Sequence, residues 1–588
     1  MVGASGSRLS FLVLPSGADA PGLECLFTAT GMVFMFRTFR LTAVGITAVL
    51  TFGCLSSPID SAVEQLDEEG LAQKTATLAS DEFGGRGPSS GGERRTINYL
   101  KDEFERIGLR PGNGESYFQE VPLVSLTVTN SPALTVRGSG VTRSLQFRSD
   151  YVGWSKRVTE QVSLSNSPMV FVGYGIVAPE YDWNDYEGVD VRGRTVVILV
   201  NDPGFATQDA DVFNGNTMTY YGRWTYKFEE AARQGAAGAI LIHETDAAGY
   251  GWGVVEGSWT GPQFDLVASD GNMSRVAVEA WVRGDVAQEL FAAAGVDLEA
   301  EKARAATPDS RPIEIPLRAS VNLSSSVEQS SSNNVLAVLP GTDRADEYIV
   351  YMAHWDHFGT DPNAEGDQIF NGAVDNATGT AGLLEMAEAF ASLEERPGRS
   401  LLFMAVTAEE QGLLGSAYYA TNPVYPRTKT VAAINMDVLN LDGVMRDITV
   451  IGYGNSDLDR YVEREAERQG RVVRGDAEPE KGFYYRSDHF SFAKEGIPAL
   501  YTDPGIDNVE HGEAWTLERR EDYTTNRYHK PSDEFDPEWD FSGAIQDLEL
   551  LFRIGYGLSI ESEFPNWTEG TEFRARRDAD MSGGTMQR

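Results

Sequence analysis

The sequence predicts an α/β protein, a mixed sheet flanked by helices, interrupted by a second β-rich unit. Three observations predict it. From Asn333 onward, short apolar runs alternate with segments of helical spacing. Between about 150 and 320 the apolar runs are mostly strand-like and carry no pair of metal-binding side chains. At 588 residues, the chain exceeds what one ordinary hydrophobic core organises.

The first 54 residues read as a leader. Met35–Arg40 is a short basic stretch, and Leu41–Phe52 is an apolar run too short to span a bilayer as a helix of about 20 residues, which is the pattern of an export signal. The residues before Met32 lack that pattern, so Met32 or Met35 is a candidate start. Leu50-Thr-Phe-Gly-Cys54 resembles a bacterial lipoprotein cleavage box, which implies a lipid on Cys54. The expected location is therefore the bacterial periplasm or cell envelope, or the medium after secretion. Cys25 and Cys54 are the two cysteines, so the body of the chain has neither a disulfide nor a thiolate metal site. A formal charge of −39 argues against nucleic acid as a partner.

Residues 55–67 read as a polar linker and 68–149 as the start of a main domain. Glu68–Leu78 and Gly92–Ile107 have helical spacing, separated by the glycine-rich loop Asp81–Pro88. In the β-rich unit, Met169–Val177, Arg194–Val200 and Ala239–His243 are strands and Tyr226–Gly235 a helix. His243 is assigned to strand packing, and Leu298–Arg311 to a return linker. The main domain resumes over 321–565, with strands at 334–339, 348–353, 400–406, 431–436, 448–453 and 498–501. Helices are expected over Gly379–Leu393 and Leu458–Gln469, and the polar tail 566–588 is expected to be disordered.

The chemistry lies at the ends of those strands. His354 closes the run Tyr348–Ala353, and Asp356, two residues on, faces the same side of an extended chain and can orient its imidazole. Asp375 falls where a helix N-cap is expected, a place that also favours an ionised carboxylate. Glu409 and Glu410 end an apolar strand together, a costly arrangement unless positive charge lies nearby. Asp437 ends another strand, and Tyr528-His529 supplies a second imidazole, with the Tyr528 phenol available to an oxyanion. His354, His529, Asp375, Glu410 and Asp437, two imidazoles and three carboxylates, suit zinc; two ions fit if one carboxylate is shared, and Glu409 is left as a candidate base.

Taken together, HWDHFG, GDQIFNGAVDNATGTAGLLEMA, AVTAEEQGLLGS, NMDVLN, YRSDHFSFAKEGIPALY and RYHKPSDEFD resemble the M28 family of di-zinc exopeptidases with an inserted protease-associated (PA) domain. The segment DEFGGRGPSSGGERRTINYLKDEFERIGLRPG resembles the start of such chains. The resemblance implies the zinc-exopeptidase fold, with a PA-like insert over 150–320, and an exported aminopeptidase acting on peptides. It implies two Zn2+ per chain, one on His354 and Asp437, the other on Glu410 and His529, bridged by Asp375. Glu409 would be the general base for a bridging hydroxide, Tyr528 the oxyanion donor, and Asp356 the residue that orients His354. Arg486, Asp488 and His489 are expected to shape the substrate pocket. A carboxypeptidase or dipeptidase is the alternative on this scaffold. A non-catalytic binding protein, marked by lost metal ligands, is disfavoured because every ligand position is filled.

Overall fold

The structure, a computed structural model, describes residues 58–583. The expected signal run and Cys54 lie outside the described residues. The expected linker is helical from Pro58 to Val63, and Ala62 and Leu66 pack into the core.

The larger sheet runs in the order Pro262–Leu266, Phe118–Val128, Ile313–Leu339, Arg399–Val406, Arg344–His354, Thr430–Asn435, Ala499–Asp503. The last four strands are parallel, so their C-terminal ends reach one edge together. Their residues are apolar on both faces because helices cover both sides. Ile349, Tyr351 and Ala353 join a core with Leu383, Phe390, Leu548 and Phe552. The alternate residues Val350 and Met352 join Leu402, Met404 and Phe492 on the other face. The expected helices Glu68–Leu78 and Gly92–Ile107 form where the spacing places them, as Glu68–Leu78 and Gly91–Ile107. Ser90 caps the second through Gly92 and Glu93, and Gly108 ends it with φ 90°.

The second sheet runs Val141–Leu145, Leu134–Gly138, Ile313–Leu339, Gln161–Phe171, Thr195–Leu199, Gly238–His243, Val278–Arg283, Tyr151–Trp154. The 27-residue strand Ile313–Leu339 belongs to both sheets. Its residues 313–324 pair with Gln161–Phe171, and 325–335 with Phe118–Val128. This shared strand corrects the expected boundaries at 150 and 320. Strands between 134 and 145 already belong to the second sheet, while Pro262–Leu266 returns to the larger one. The expected return linker contains the helix Leu298–Ala305, capped by Asp297, with Leu298 and Ala305 buried. His243 lies in the strand Gly238–His243 and bonds the carbonyl of Tyr250 at 2.9 Å, as packing demands.

The tail is a correction as well. Residues 566–583 are ordered and end in the helix Arg574–Met581. Trp567 and Phe573 are buried, the Trp567 indole donates to the Gly496 carbonyl, and Arg577 donates to the carbonyls of Thr430 and Val431. A polar composition hid three anchoring side chains spaced along the segment.

Candidate metal centre

The parallel strands place the acidic and imidazole side chains around one point. His354 ends its strand, Glu409 and Glu410 follow Val406, and Asp437 follows Asn435. Open α/β sheets present ligands at this edge. The turns that carry these residues depart from ordinary backbone. Ala408, Val438 and His529 all have positive φ (55°, 61° and 56°). Such residues cost about 1–3 kcal/mol each and concentrate at functional sites.

Asp375 is central. Its Oδ1 lies 3.2 Å from His354 Nε2 and its Oδ2 lies 3.3 Å from His529 Nε2. His354 Nε2 is also 3.3 Å from Asp437 Oδ1, and His529 Nε2 is 3.2 Å from Glu410 Oε2. Asp375 does not cap the helix Thr378–Ala391 as expected. Its neighbour takes that work: Asn376 Oδ1 accepts from Gly379 N at 2.8 Å, and its amide donates to the Met436 carbonyl at 3.0 Å. A Cβ on Gly379 would lie 2.2 Å from that Oδ1, so the close turn needs glycine. The Asp375–Asn376 peptide is cis. With Asn376 doing the capping, the carboxylate of Asp375 is left to the imidazoles.

Charge in this pocket is unevenly held. Burial disfavours a charged His354, but Glu409, Asp437 and Asp375 outweigh it and hold the imidazole well above its ordinary range. Burial also opposes ionisation of Asp375, yet its bonds to His354 and His529 keep its carboxyl well below the usual range. Burial and the neighbouring acids Asp437, Asp488 and Asp375 push Glu409 well up against the pull of His354. Glu410 is driven up by burial, Asp375 and Glu409. Crowded, desolvated carboxylates of this kind are relieved by a dication. Donor atoms of His354, Glu409 and Asp437, and of His354, Asp375 and Glu410, lie within 4.8 Å of one another in each set. The donor set fits zinc.

Several supports were not assigned from sequence. His357 Nδ1 lies 2.5 Å from Glu410 Oε1, and Ser487 donates to Asp437 Oδ2 at 2.5 Å. Asp533 accepts from the backbone N–H of Val374 and Asp375 at 3.1 and 3.2 Å. Each sits inside a quoted motif, but nothing in the spacing says which partner it meets. Asp356 is a correction. Its carboxylate is 3.9 Å from His354 Nδ1 and instead accepts from Glu409 N at 3.1 Å and Glu410 N at 3.4 Å. The His354 Nδ1 faces the Asp356 main-chain carbonyl at 3.2 Å.

A cleft of about 2500 Å3 opens from this point. Trp154, Arg223, Trp224 and Phe264, from between residues 129 and 312, line it together with Asp375, Glu409, Glu410, Asp437, Tyr528 and His529. Tyr528 is 40% exposed and stacks on His529 with ring centres 3.7 Å apart. Of the three residues expected in the substrate pocket, Arg486 lines the cleft. Asp488 and His489 are fully buried and absent from its walls, His489 lying between Tyr484 and Tyr501. The helix His489–Lys494 turns them inward, a direction the local sequence did not reveal. Burial pushes Asp488 up to about 7 and His489 down to about 3.

Residues 334–552 match the model of peptidase family M28. A 123-residue segment is 33% identical to the mouse protein named Aminopeptidase NAALADL1, covering 20% of this chain and 15% of that protein. A 112-residue segment is 40% identical to a probable zinc metalloprotease of Pyricularia oryzae, covering 19% of this chain and 20% of that protein. The chain thus spans a fifth or less of the length of these relatives. Among solved structures, an aminopeptidase from Aneurinibacillus sp. strain AM-1 is similar with a TM-score of 0.47 and 18% identity, covering 86% of this chain and 97% of that one. The segment 334–552, which matches the M28 family model, holds all six residues of the constellation.

Proposed function

We propose that the chain is a zinc metallo-exopeptidase of aminopeptidase type that hydrolyses terminal peptide bonds. The observation that carries this reading is Asp375, whose two oxygens face two different imidazoles, each beside a further carboxylate. The names of the mouse and Pyricularia relatives, an aminopeptidase and a zinc metalloprotease, agree with it. One ion would rest on His354 and Asp437, the other on Glu410 and His529, with Asp375 shared. Bound zinc supplies Lewis-acid polarisation of water and of the scissile carbonyl.

The chain's own residues do the rest. Glu409 stands beside the constellation with its carboxyl raised by burial, suited to take a proton from the attacking water and return it to the leaving amine. The Tyr528 phenol, on the cleft wall against His529, donates to the developing oxyanion. The 129–312 region, read as a PA-like insert, walls the cleft. A volume of about 2500 Å3 exceeds the roughly 300–1,000 Å3 of a typical small-ligand site and leaves room for a short peptide. Export with a lipid on Cys54 completes the proposal, and the intact mass of the membrane-associated protein tests it.

The deciding experiment profiles peptides with free, N-acetylated or C-amidated ends, with and without zinc. Release of N-terminal residues, abolished by acetylation and tolerant of amidation, is the expected result. The opposite pattern would establish the second reading, a carboxypeptidase or dipeptidase. One observation favours that alternative. Arg223 stacks on Trp224 and Arg486 on Phe483, both line the cleft, and neither is ion-paired among the described residues. Such guanidinium groups are suited to a substrate carboxylate.

A further inference from the structure

We infer that Arg86 is a positioning residue that sets the spacing between the strand end carrying His354 and the turn carrying Asp375. The inference rests on the metallopeptidase reading and concerns a side chain 268 positions before His354 in sequence.

Arg86 closes the glycine-rich loop Asp81–Arg86 and is fully buried. The loop brings it inward by left-handed backbone at Gly84, Gly85 and Arg86 itself, with φ of 56°, 64° and 49°. At Gly85 a Cβ would lie 2.2 Å from the Gly359 carbonyl, so the loop reaches this depth only with glycine there. Among the described residues the guanidinium then donates only to main-chain carbonyls. Nε bonds Trp355 O at 2.9 Å, Nη1 bonds Leu78 O at 2.9 Å and Asn371 O at 2.5 Å, and Nη2 bonds Gly372 O at 2.7 Å.

Those acceptors are informative. Trp355 directly follows His354, and Gly372 stands three residues before Asp375. One rigid fork therefore ties together the two chain segments whose side chains meet at 3.2 Å. The planar guanidinium has five donors in fixed directions, whereas a lysine ammonium is a point charge with three. Arg86 is also the cation behind an acid-rich centre. Burial draws its pKa down to about 10, while Asp533, Asp356, Asp375 and Glu410 act in the opposite sense without forming an ion pair with it. A second anchor works beside it: the Asn371 amide donates to Ala79 O at 2.7 Å and to Asp81 Oδ1 at 3.0 Å.

A residue needed only for core stability would change unfolding and leave bound metal alone. The test uses the full chain loaded with cobalt(II) as a spectroscopic probe, comparing wild type, Arg86→Lys and Arg86→Met. The readouts are the visible absorption of cobalt, ions bound per chain, zinc affinity by chelator competition, and circular dichroism. With the fold retained, zinc affinity should fall about tenfold in Arg86→Lys and about 100-fold in Arg86→Met, the range seen when groups orienting metal ligands are removed. The cobalt spectrum should change in both. Two-ion binding with unchanged spectrum and affinity in a folded variant overturns the inference alone. If Arg86→Met does not fold, Arg86→Lys decides; if neither folds, Arg86 is a folding residue and the inference is overturned. A wild-type chain that takes up no cobalt overturns the metallopeptidase reading, and this inference with it.

Discussion

His357 Nδ1 stands 2.5 Å from Oε1 of Glu410, with both side chains enclosed. The other oxygen of Glu410 faces His529 Nε2 at 3.2 Å. One oxygen is thus held by the imidazole while its twin is presented to the candidate metal position. Burial pushes the His357 imidazole down to about 3 and keeps the ring neutral; with Glu410 ionised as a metal ligand, the Nδ1–H tautomer would donate to it. Replacing it with leucine keeps the volume and removes the donor. His357→Leu should weaken zinc binding about 10- to 100-fold, as loss of outer hydrogen-bond partners does. Chelator competition measures it, and an unaltered affinity would show that Glu410 needs no such support.

Glu409 is the side chain whose removal should separate chemistry from binding. Glu409→Gln keeps shape and hydrogen bonding but cannot take a proton. The expected loss in kcat is about 10²- to 10⁴-fold, the typical share of general acid–base catalysis. Metal content should stay at the wild-type level, checked by elemental analysis of the same preparation. Full turnover in this variant would move the base elsewhere.

The parallel core was legible because its strands contain short apolar runs that lead into polar residues. Tyr348–Ala353 into His354 and Val431–Met436 into Asp437 show this directly. Of the shared strand Ile313–Leu339, only the expected run 334–339 was legible. Its residues 322–332 are dominated by serine, asparagine and other polar types that read as loop. Pairing with Phe118–Val128 and Gln161–Phe171 satisfies that backbone, a tertiary effect invisible locally. The site divides the same way. Ligand-type residues announced themselves by chemistry, whereas Asp356, Asp488 and His489 were assigned by adjacency, and the backbone turns them elsewhere.

Removing metal should act on stability as well as on activity. Asp375, Glu409, Glu410 and Asp437 crowd one pocket, and a ligand that binds only the folded state adds RT ln(1 + [L]/Kd). At 100 times Kd this is about 2.7 kcal/mol. Exhaustive chelation should abolish hydrolysis and lower the unfolding midpoint, and zinc should restore both. Chelated protein with undiminished activity would exclude a metal mechanism.

The 129–312 region is fastened to the helices of the larger sheet by charge, and that fastening should depend on pH. Glu229, in the helix Trp224–Arg233, meets Lys494 of the helix His489–Lys494 at 2.7 Å. The Tyr220 hydroxyl donates to the same carboxylate at 2.6 Å. Burial alone would raise its pKa, but Lys494, Tyr220 and Arg233 prevail and bring it from 4.5 to about 2. A carboxyl depressed on folding stabilises the native state above its unfolded value of 4.5 and loses that contribution as pH falls toward 2. Lys494 is partly exposed, so solvent screening reduces the effect to about 1–2 kcal/mol. Glu229→Gln should therefore be less stable than wild type at pH 7, with the gap narrowing by pH 3. Urea unfolding at the two pH values measures it; a gap of equal size at both would mean that packing, not ionisation, holds this contact.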